Sequence, residues 1–375
     1  MQKNRPDALR LPTVTLLGLA GNAPAYTIAI TCWTLVLASK HYSAAIMFWC
    51  GLLVLGVAYS YGRLNRAHVS GGAAFTWVST LVHPKAGFLA GWCLLAASVL
   101  FLVSAALPAA KLAVNALNVT ETKSTVLVAS SVLIILLAIL SAKGVEFVGR
   151  TLAILTSLEL ATLVLLGGML FLGLSAPPIS IPVPTLSPKG LSAEALSQGI
   201  VIAIFFYWGW DVLFNASEST EDSARNSRIA GYLVIGALIL MFVFFTAVAQ
   251  QSLTEEEMKK SDGNVLVALS NLTGAVYLLF AVKVAFFIST VGAIFASFIN
   301  SHKQYCHKAE PDTSSKVSRK LVPTQALHSL QSRRRLHWQF RCLPFRHTPL
   351  QSMKSCPRQS ERPLCLLLFT MDSRP

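Results

Sequence analysis

Charge is what this sequence has least of. Only 13% of its 375 residues are Asp, Glu, Lys or Arg, roughly half the share usual in a soluble globular chain. Hydrophobic residues make up 54%. Several apolar runs reach the roughly 20 residues needed to cross bilayer hydrocarbon. An ordinary soluble domain is excluded, and a polytopic membrane protein is expected. Cysteine is sparse and unpatterned. The seven are scattered, Cys32, Cys50 and Cys93 fall in apolar segments, and no CxxC or metal-ligand spacing occurs. No disulfide framework and no metal site are expected. No HExxH, GxSxG or paired-aspartate motif lies at membrane depth, so neither an enzyme nor a cofactor is implied. No cleavable leader is evident. Lys3, Arg5 and Arg10 precede an apolar run too long for a signal-peptide core, and it reads as a first membrane helix.

The net charge of +14 is concentrated at one end. Residues 302–375 hold 14 Lys/Arg against 4 Asp/Glu, which leaves +4 for residues 1–301. That is ordinary for a membrane protein with basic loops, and nucleic acid is not an expected partner. The partner it does imply is the lipid bilayer.

Hydropathy divides residues 1–301 into eight predicted spans: about 13–37, 44–62, 86–108 (with room to extend toward Leu117), 124–142, 151–174, 193–213, 229–249 and 274–299. Basic residues cluster at alternate span ends: Lys3, Arg5 and Arg10, then Arg63, Arg66 and Lys85, then Lys143 and Arg150, then Arg225 and Arg228. Basic loops favour the cytoplasm, so both termini are expected there. Residues 175–192 are proline-rich and form an expected external joint between spans five and six. The Glu255–Lys260 cluster reads as a solvated external loop. Apolar periodicity stops after Asn300-Ser301, and residues 302–375 read either as a basic low-order tail drawn to anionic lipid or as a frameshifted end.

Two apolar segments carry residues that a continuous helix disfavours. The first cluster is Gly18-Leu19-Ala20-Gly21-Asn22-Ala23-Pro24; the second is Tyr207-Trp208-Gly209-Trp210-Asp211. Freed backbone groups inside a bilayer cost several kcal/mol each unless matched. Paired interruptions of this kind point to a solute site in a secondary transporter. Gly18 and Gly21 permit close backbone approach, and Pro24 removes a donor. A half-helix starting beyond the break presents N–H groups and a positive dipole end. A solute carboxylate is therefore expected at Gly21, Asn22 and Ala23; the alternative is a proline kink with close helix packing. In span six Gly209 is the expected hinge. Tyr207, Trp208 and Trp210 are expected to line the site, with cation–π attraction from their faces. Asp211 either binds a cationic group or caps the following helix fragment.

The chain resembles the amino acid/polyamine/organocation permease superfamily. The likeness is carried by Gly18–Pro24, by Tyr61-Gly62-Arg63 through Ser70-Gly71-Gly72-Ala73-Ala74-Phe75, by Gly87-Phe88-Leu89-Ala90-Gly91-Trp92, by Gly144-Val145 with Ile154–Leu160, and by Phe206–Asp211 with Asn215–Thr220. Their order and spacing cover residues 11–301. The resemblance implies an all-α membrane protein with the LeuT-like five-plus-five inverted-repeat fold. It implies a plasma-membrane secondary transporter of amino acids or polyamines, coupled to a proton or sodium and working by alternating access. Helices nine and ten of that plan are not recognised after residue 301, so the second repeat is expected to be incomplete. The alternative is a transport-incompetent remnant with a binding or regulatory role.

Four further residues are candidates for ion coupling. Glu159 sits within span five, where a carboxylate is costly unless neutral or paired; related proton-coupled permeases often carry a lysine at that place. The alternative is a structural hydrogen bond to a neighbouring helix. Lys283, mid-span in helix eight, either pairs with Glu159 or snorkels. Ser289 and Thr290 follow it, and the resemblance implies a cation site there; the alternative is back-bonding to their own helix.

Overall fold

The computed structural model describes residues 8–174 and 190–309, with side chains as far as residue 299. Lys3 and Arg5, the proline-rich joint over 175–189 and the tail beyond 309 lie outside the described residues. Every long element among the described residues is helical; the one extended pairing there is an isolated bridge between Leu9 and Thr220.

The first apolar segment is two helices, α1 (Leu11–Asn22) and α2 (Pro24–Ser39). Then follow α3 (Ser43–Ala67), the short α4 (Ala73–Leu81), α5 (Pro84–Ala116), α6 (Lys123–Ser141) and α7 (Val145–Phe171). Beyond the joint come α8 (Ala193–Phe206), the four-residue α9 (Val212–Asn215), α10 (Ser223–Ser252), α11 (Glu255–Lys260), α12 (Val265–Leu272) and α13 (Val276–Ala309). Among the described residues six stretches are long and apolar enough to cross a membrane, with α1–α3 counted as one run. The chain is a multi-pass membrane protein.

Local chemistry sets the boundaries. Pro84 starts α5, where a missing N–H costs nothing, and His83 accepts from the Lys85 N–H at 3.1 Å. Thr122 and Thr125 form a reciprocal cap at the head of α6. Ser192 accepts from the Ala195 N–H at the head of α8. Thr254 and Glu257 cap α11, so the expected loop at 255–260 is a short helix. The third expected span continues through Pro108 to Ala116, because the small buried face of Ala105, Ala106, Ala109 and Ala110 packs inward on both sides of the proline.

Burial runs from the centre outward. α1 is enclosed by α7, α10 and α13, and its residues from Leu17 to Asn22 are all buried. α6 lies at the margin: only Ser130 and Leu137 are buried, while Leu127, Val128, Val132, Ile135, Leu136 and Ile139 face outward. Such an apolar outer face suits lipid.

The two broken segments run side by side in opposite directions. Close approaches join Gly18 to Leu213, Gly21 to Gly209, and Ser39 to Gly199. Thus α1 lies against α9, and α2 lies against α8.

Candidate functional site

The first break is narrower than its sequence cluster. Helix α1 continues through Gly18 and Gly21 to Asn22, and only Ala23 leaves it, in the left-handed region with φ 53°. The Ala23 N–H still donates to the carbonyls of Leu19 and Ala20. Pro24 then opens α2 as its first residue. Gly21, Asn22 and Ala23 thus belong to a helix C-terminus, which leaves carbonyls rather than N–H groups unmatched. The exposed donors are those of Ala25 and Tyr26, two residues further on than the sequence implied.

Both of those donors are already taken. The Ala25 N–H donates to Glu159 Oε1 at 2.8 Å, and the Tyr26 N–H donates to Ser289 Oγ at 3.1 Å. Ser289 in turn donates to the same Glu159 oxygen at 2.7 Å. Glu159 on α7 is 1% exposed. Its carboxylate therefore sits at the start of α2, where the helix dipole and free N–H groups favour negative charge. No ion pair reaches it among the described residues. Lys283 is exposed on α13, and no pairing with Glu159 forms. Thr290 donates to its own helix at Phe286 O, as back-bonding requires, whereas Ser289 does not.

The second break lies across from the first. Helix α8 ends at Phe206, Gly209 adopts φ +90°, and α9 starts at Val212. A Cβ placed on Gly209 would strike the Gly21 carbonyl, and one on Gly21 would strike the Gly209 oxygen. Asn22 closes the junction. Its Nδ2 donates to Phe206 O at 2.7 Å and to Trp208 O at 2.8 Å. These are the carbonyls that the end of α8 leaves unmatched. Asn22 is 3% exposed, and its Oδ1 has no hydrogen-bond partner.

A small cavity of about 10 Å³, room for roughly one water, opens beside this junction. Tyr26, Phe101, Phe205 and Trp208 wall it, Asn22, Thr27 and Thr31 supply its polar groups, and Gly21 completes it. Tyr26 meets Phe101 edge to face at 6.0 Å and stacks on Phe286 at 5.9 Å. A wider groove of about 590 Å³ runs along Thr34, Leu37, Ala38, Gln198, Val201 and Ile202, away from both breaks.

Of the three aromatic residues expected to line the site, Trp208 walls this cavity and the other two pack elsewhere. Tyr207 turns to α3, its hydroxyl donating to Met47 O at 2.9 Å. Trp210 packs on Tyr61 and Phe214. Asp211 precedes α9 but makes no side-chain cap. Gly18 faces Leu213 and Val234, a helix-packing position. Phe101, Tyr26, Thr27, Thr31 and Phe205 were not singled out by the sequence. The one available signal was Thr27 and Thr31, polar residues four apart on a single helix face.

One end of the assembly is tied shut. The Leu9 N–H donates to Ser219 O at 2.8 Å, and the Glu221 N–H donates to Leu9 O at 2.9 Å. The buried Gly71 N–H donates to Glu218 Oε1 at 2.8 Å. Asn65 Nδ2 donates to Ser223 O at 3.1 Å.

Comparison with known proteins agrees with this architecture. A family model described as amino acid permease matches residues 11–305. The low-affinity putrescine importer PlaP of Escherichia coli strain K12 is 26% identical over 243 residues, 63% of this chain and 52% of the importer. An uncharacterized protein of Methanocaldococcus jannaschii is 25% identical over 262 residues, 66% of this chain and 54% of its own length. The chain spans about half the length of the curated relatives it matches.

Proposed function

The chain belongs to the amino acid permease family, and we propose that it carries amino acids or polyamines across the plasma membrane by alternating access, with Glu159 holding the coupling proton. The family and the putrescine importer point to a transporter rather than an enzyme. The observation that carries the solute site is the junction of the breaks. Gly21 and Gly209 touch through backbone alone, and Asn22 bonds two carbonyls that the second break sets free. Broken helices meeting in this way are how inverted-repeat transporters expose backbone to a solute. The antiparallel course of α1/α2 against α9/α8 supports that plan. The importer's putrescine supports a small amine among the solutes.

Glu159 suits the coupling role because it ties the moving parts together. Its oxygen holds α2 through Ala25 and α13 through Ser289. Adding a proton weakens both bonds, since a neutral carboxyl accepts less strongly than a carboxylate. Loading and unloading that proton thus loosens and tightens α2 against α13.

Loop charge orients the chain with Arg10, Arg63, Arg66, Lys143, Arg150, Arg225 and Arg228 in the cytoplasm. The Leu9–Ser219 and Gly71–Glu218 ties then close the cytoplasmic end.

Proteoliposomes containing the full chain test the reading. Saturable counter-flow of at least one labelled amino acid or amine is expected, faster with an inward proton gradient. A folded protein that moves none of the panel contradicts it.

A further inference from the structure

Arginine gathers at one seam of the closed end, away from the solute cavity. Helices α3 and α10 pack antiparallel: a Cβ on Gly51 would meet Ile239, and one on Gly62 would meet Arg228 Cγ at 2.7 Å. That register sets Arg63 and Arg66, at the end of α3, beside Arg225 and Arg228, at the start of α10. Arg63, Arg66 and Arg225 are exposed. Arg228 lies along Gly62, and its Nε is buried without a hydrogen-bond partner.

Like charges placed together repel unless an anion joins them. The chain does not supply one. Glu221 and Asp222 stand exposed at the head of α10, yet among the described residues no ion pair joins either to these arginines. Glu218 is already engaged by the Gly71 N–H. Basic residues at helix ends orient a membrane protein by their number alone. Number does not explain a guanidinium tucked against a glycine with a buried donor left open.

The same helices continue the site into the membrane. On α10, Arg225, Leu233, Gly236 and Leu240 recur on one helix face, and on α3 so do Leu52, Tyr59, Arg63 and Arg66. Leu52, Tyr59, Leu233 and Leu240 are exposed, and Gly236 has open space where a side chain would stand. An apolar strip, notched at Gly236, thus leads away from the arginines. Guanidinium groups match phosphate oxygens with paired N–H donors, and the strip suits hydrocarbon. A membrane lipid carries both chemistries, and four cations favour one of net negative charge.

We propose that an anionic phospholipid binds at the α3–α10 seam, its phosphate held by Arg63, Arg66, Arg225 and Arg228 and an acyl chain lying over Gly236. The two helices run into the ties of the closed end: α3 leads to Gly71, and α10 follows Ser219 and Glu221. A headgroup that bridges them holds that end shut. This role does not depend on where the solute sits.

Native mass spectrometry of the purified full chain reads bound lipid directly, with phosphatidylglycerol and phosphatidylcholine of identical acyl chains as probes. Phosphatidylglycerol is expected to bind at least about tenfold tighter. Arg225→Gln with Arg228→Gln is expected to abolish the preference. Lys85→Gln with Lys143→Gln, an equal loss of charge, is expected to keep it. Gly236→Leu should weaken both lipids by filling the notch. Elution and helicity confirm folding, and Arg63→Gln with Arg66→Gln, at two exposed positions, repeats the test if Arg228→Gln unfolds the chain. Equal affinity for the two lipids overturns the proposal. Equal loss in both double variants does the same, because diffuse charge would then decide. Glycerol 3-phosphate displacing phosphatidylglycerol at matched concentration would make this a free-phosphate site and reject the lipid. Hydrogen exchange at Gly71 and Leu9 should be slower in nanodiscs containing phosphatidylglycerol than in phosphatidylcholine alone, and unchanged exchange overturns the clamping role.

Discussion

Gly21 and Gly209 meet backbone to backbone, and a methyl group on either α-carbon would collide with the carbonyl of the other. The contact joins residues nearly half the chain apart. It also brings the end of α1 within reach of the carbonyls at the end of α8, which Asn22 then bonds. No larger residue at either position permits that approach.

Gly209→Ala should therefore be severe. It combines a φ of +90° with a backbone clash; strain at such positions alone costs about 1–3 kcal/mol. Gly21→Ala meets the Gly209 oxygen and Val212, and should be comparable. Gly18→Ala meets the side chains of Leu213 and Val234 at 2.8 and 2.9 Å and reaches backbone, the Trp210 oxygen, only at 3.4 Å, and should be milder. Thermal unfolding in detergent, with uptake measured on the same preparations, checks the order. Gly21 and Gly209 variants should lose uptake before the Gly18 variant does.

Glu159→Gln should flatten the pH dependence of uptake. With a coupling proton on the native carboxylate, uptake rises as external pH falls. The amide cannot bind that proton, so its rate should stay level across the same range. Initial uptake rates at fixed internal pH and stepped external pH read this directly. A glutamine variant that retains the native pH profile would remove Glu159 from coupling.

How much of this was legible beforehand depends on the range of each interaction. Glycine and proline at 18–24 and glycine among aromatics at 207–211 marked both breaks, because those residues alter backbone freedom locally. The extent of the first break was not legible. Glycines 18 and 21 stay helical because their bare α-carbons are needed for packing across to α9, a partner some 190 residues away. The direction of Tyr207 and Trp210 was not legible for a similar reason: aromatic side chains near a hinge can face either the cavity or α3, and only the fold decides. Glu159 stood out as a carboxylate in an apolar run, yet its partners Ala25 and Ser289 come from two other helices. Phe101 carried no signal, being one apolar residue among many on α5.

Glu218→Ala should loosen the closed end. The buried Gly71 N–H would lose its acceptor, and a buried donor left unmatched costs about 1–3 kcal/mol. Hydrogen exchange at Gly71 and at the Leu9–Ser219 tie should accelerate by roughly tenfold or more, while amides within α7 stay protected. Equal protection in variant and native chains would mean that Glu218 does not hold that end together.

Two substitutions at Asn22 separate the duties of that side chain, and Asn22→Ala is the first. It removes the amide from the Phe206 and Trp208 carbonyls and the free acceptor from the cavity together. Solute affinity should fall, and helix stability near the junction should drop by about 1–3 kcal/mol. Asn22→Asp keeps an acceptor at the cavity but loses both donations, and should retain more amine affinity than the alanine variant. Equilibrium binding to the purified variants distinguishes them.

The central claim is that a solute sits where the two breaks meet, and solute protection of a cavity cysteine tests it most directly. Thr31→Cys, placed in a chain whose seven native cysteines are replaced by alanine, is labelled with a small maleimide at increasing solute concentration. The account predicts that labelling slows in step with the concentration that half-saturates uptake, while Glu256→Cys, introduced alone on the polar, exposed helix α11 as a control, labels at a constant rate. Labelling of the cavity cysteine that is unchanged at solute concentrations saturating uptake would contradict it.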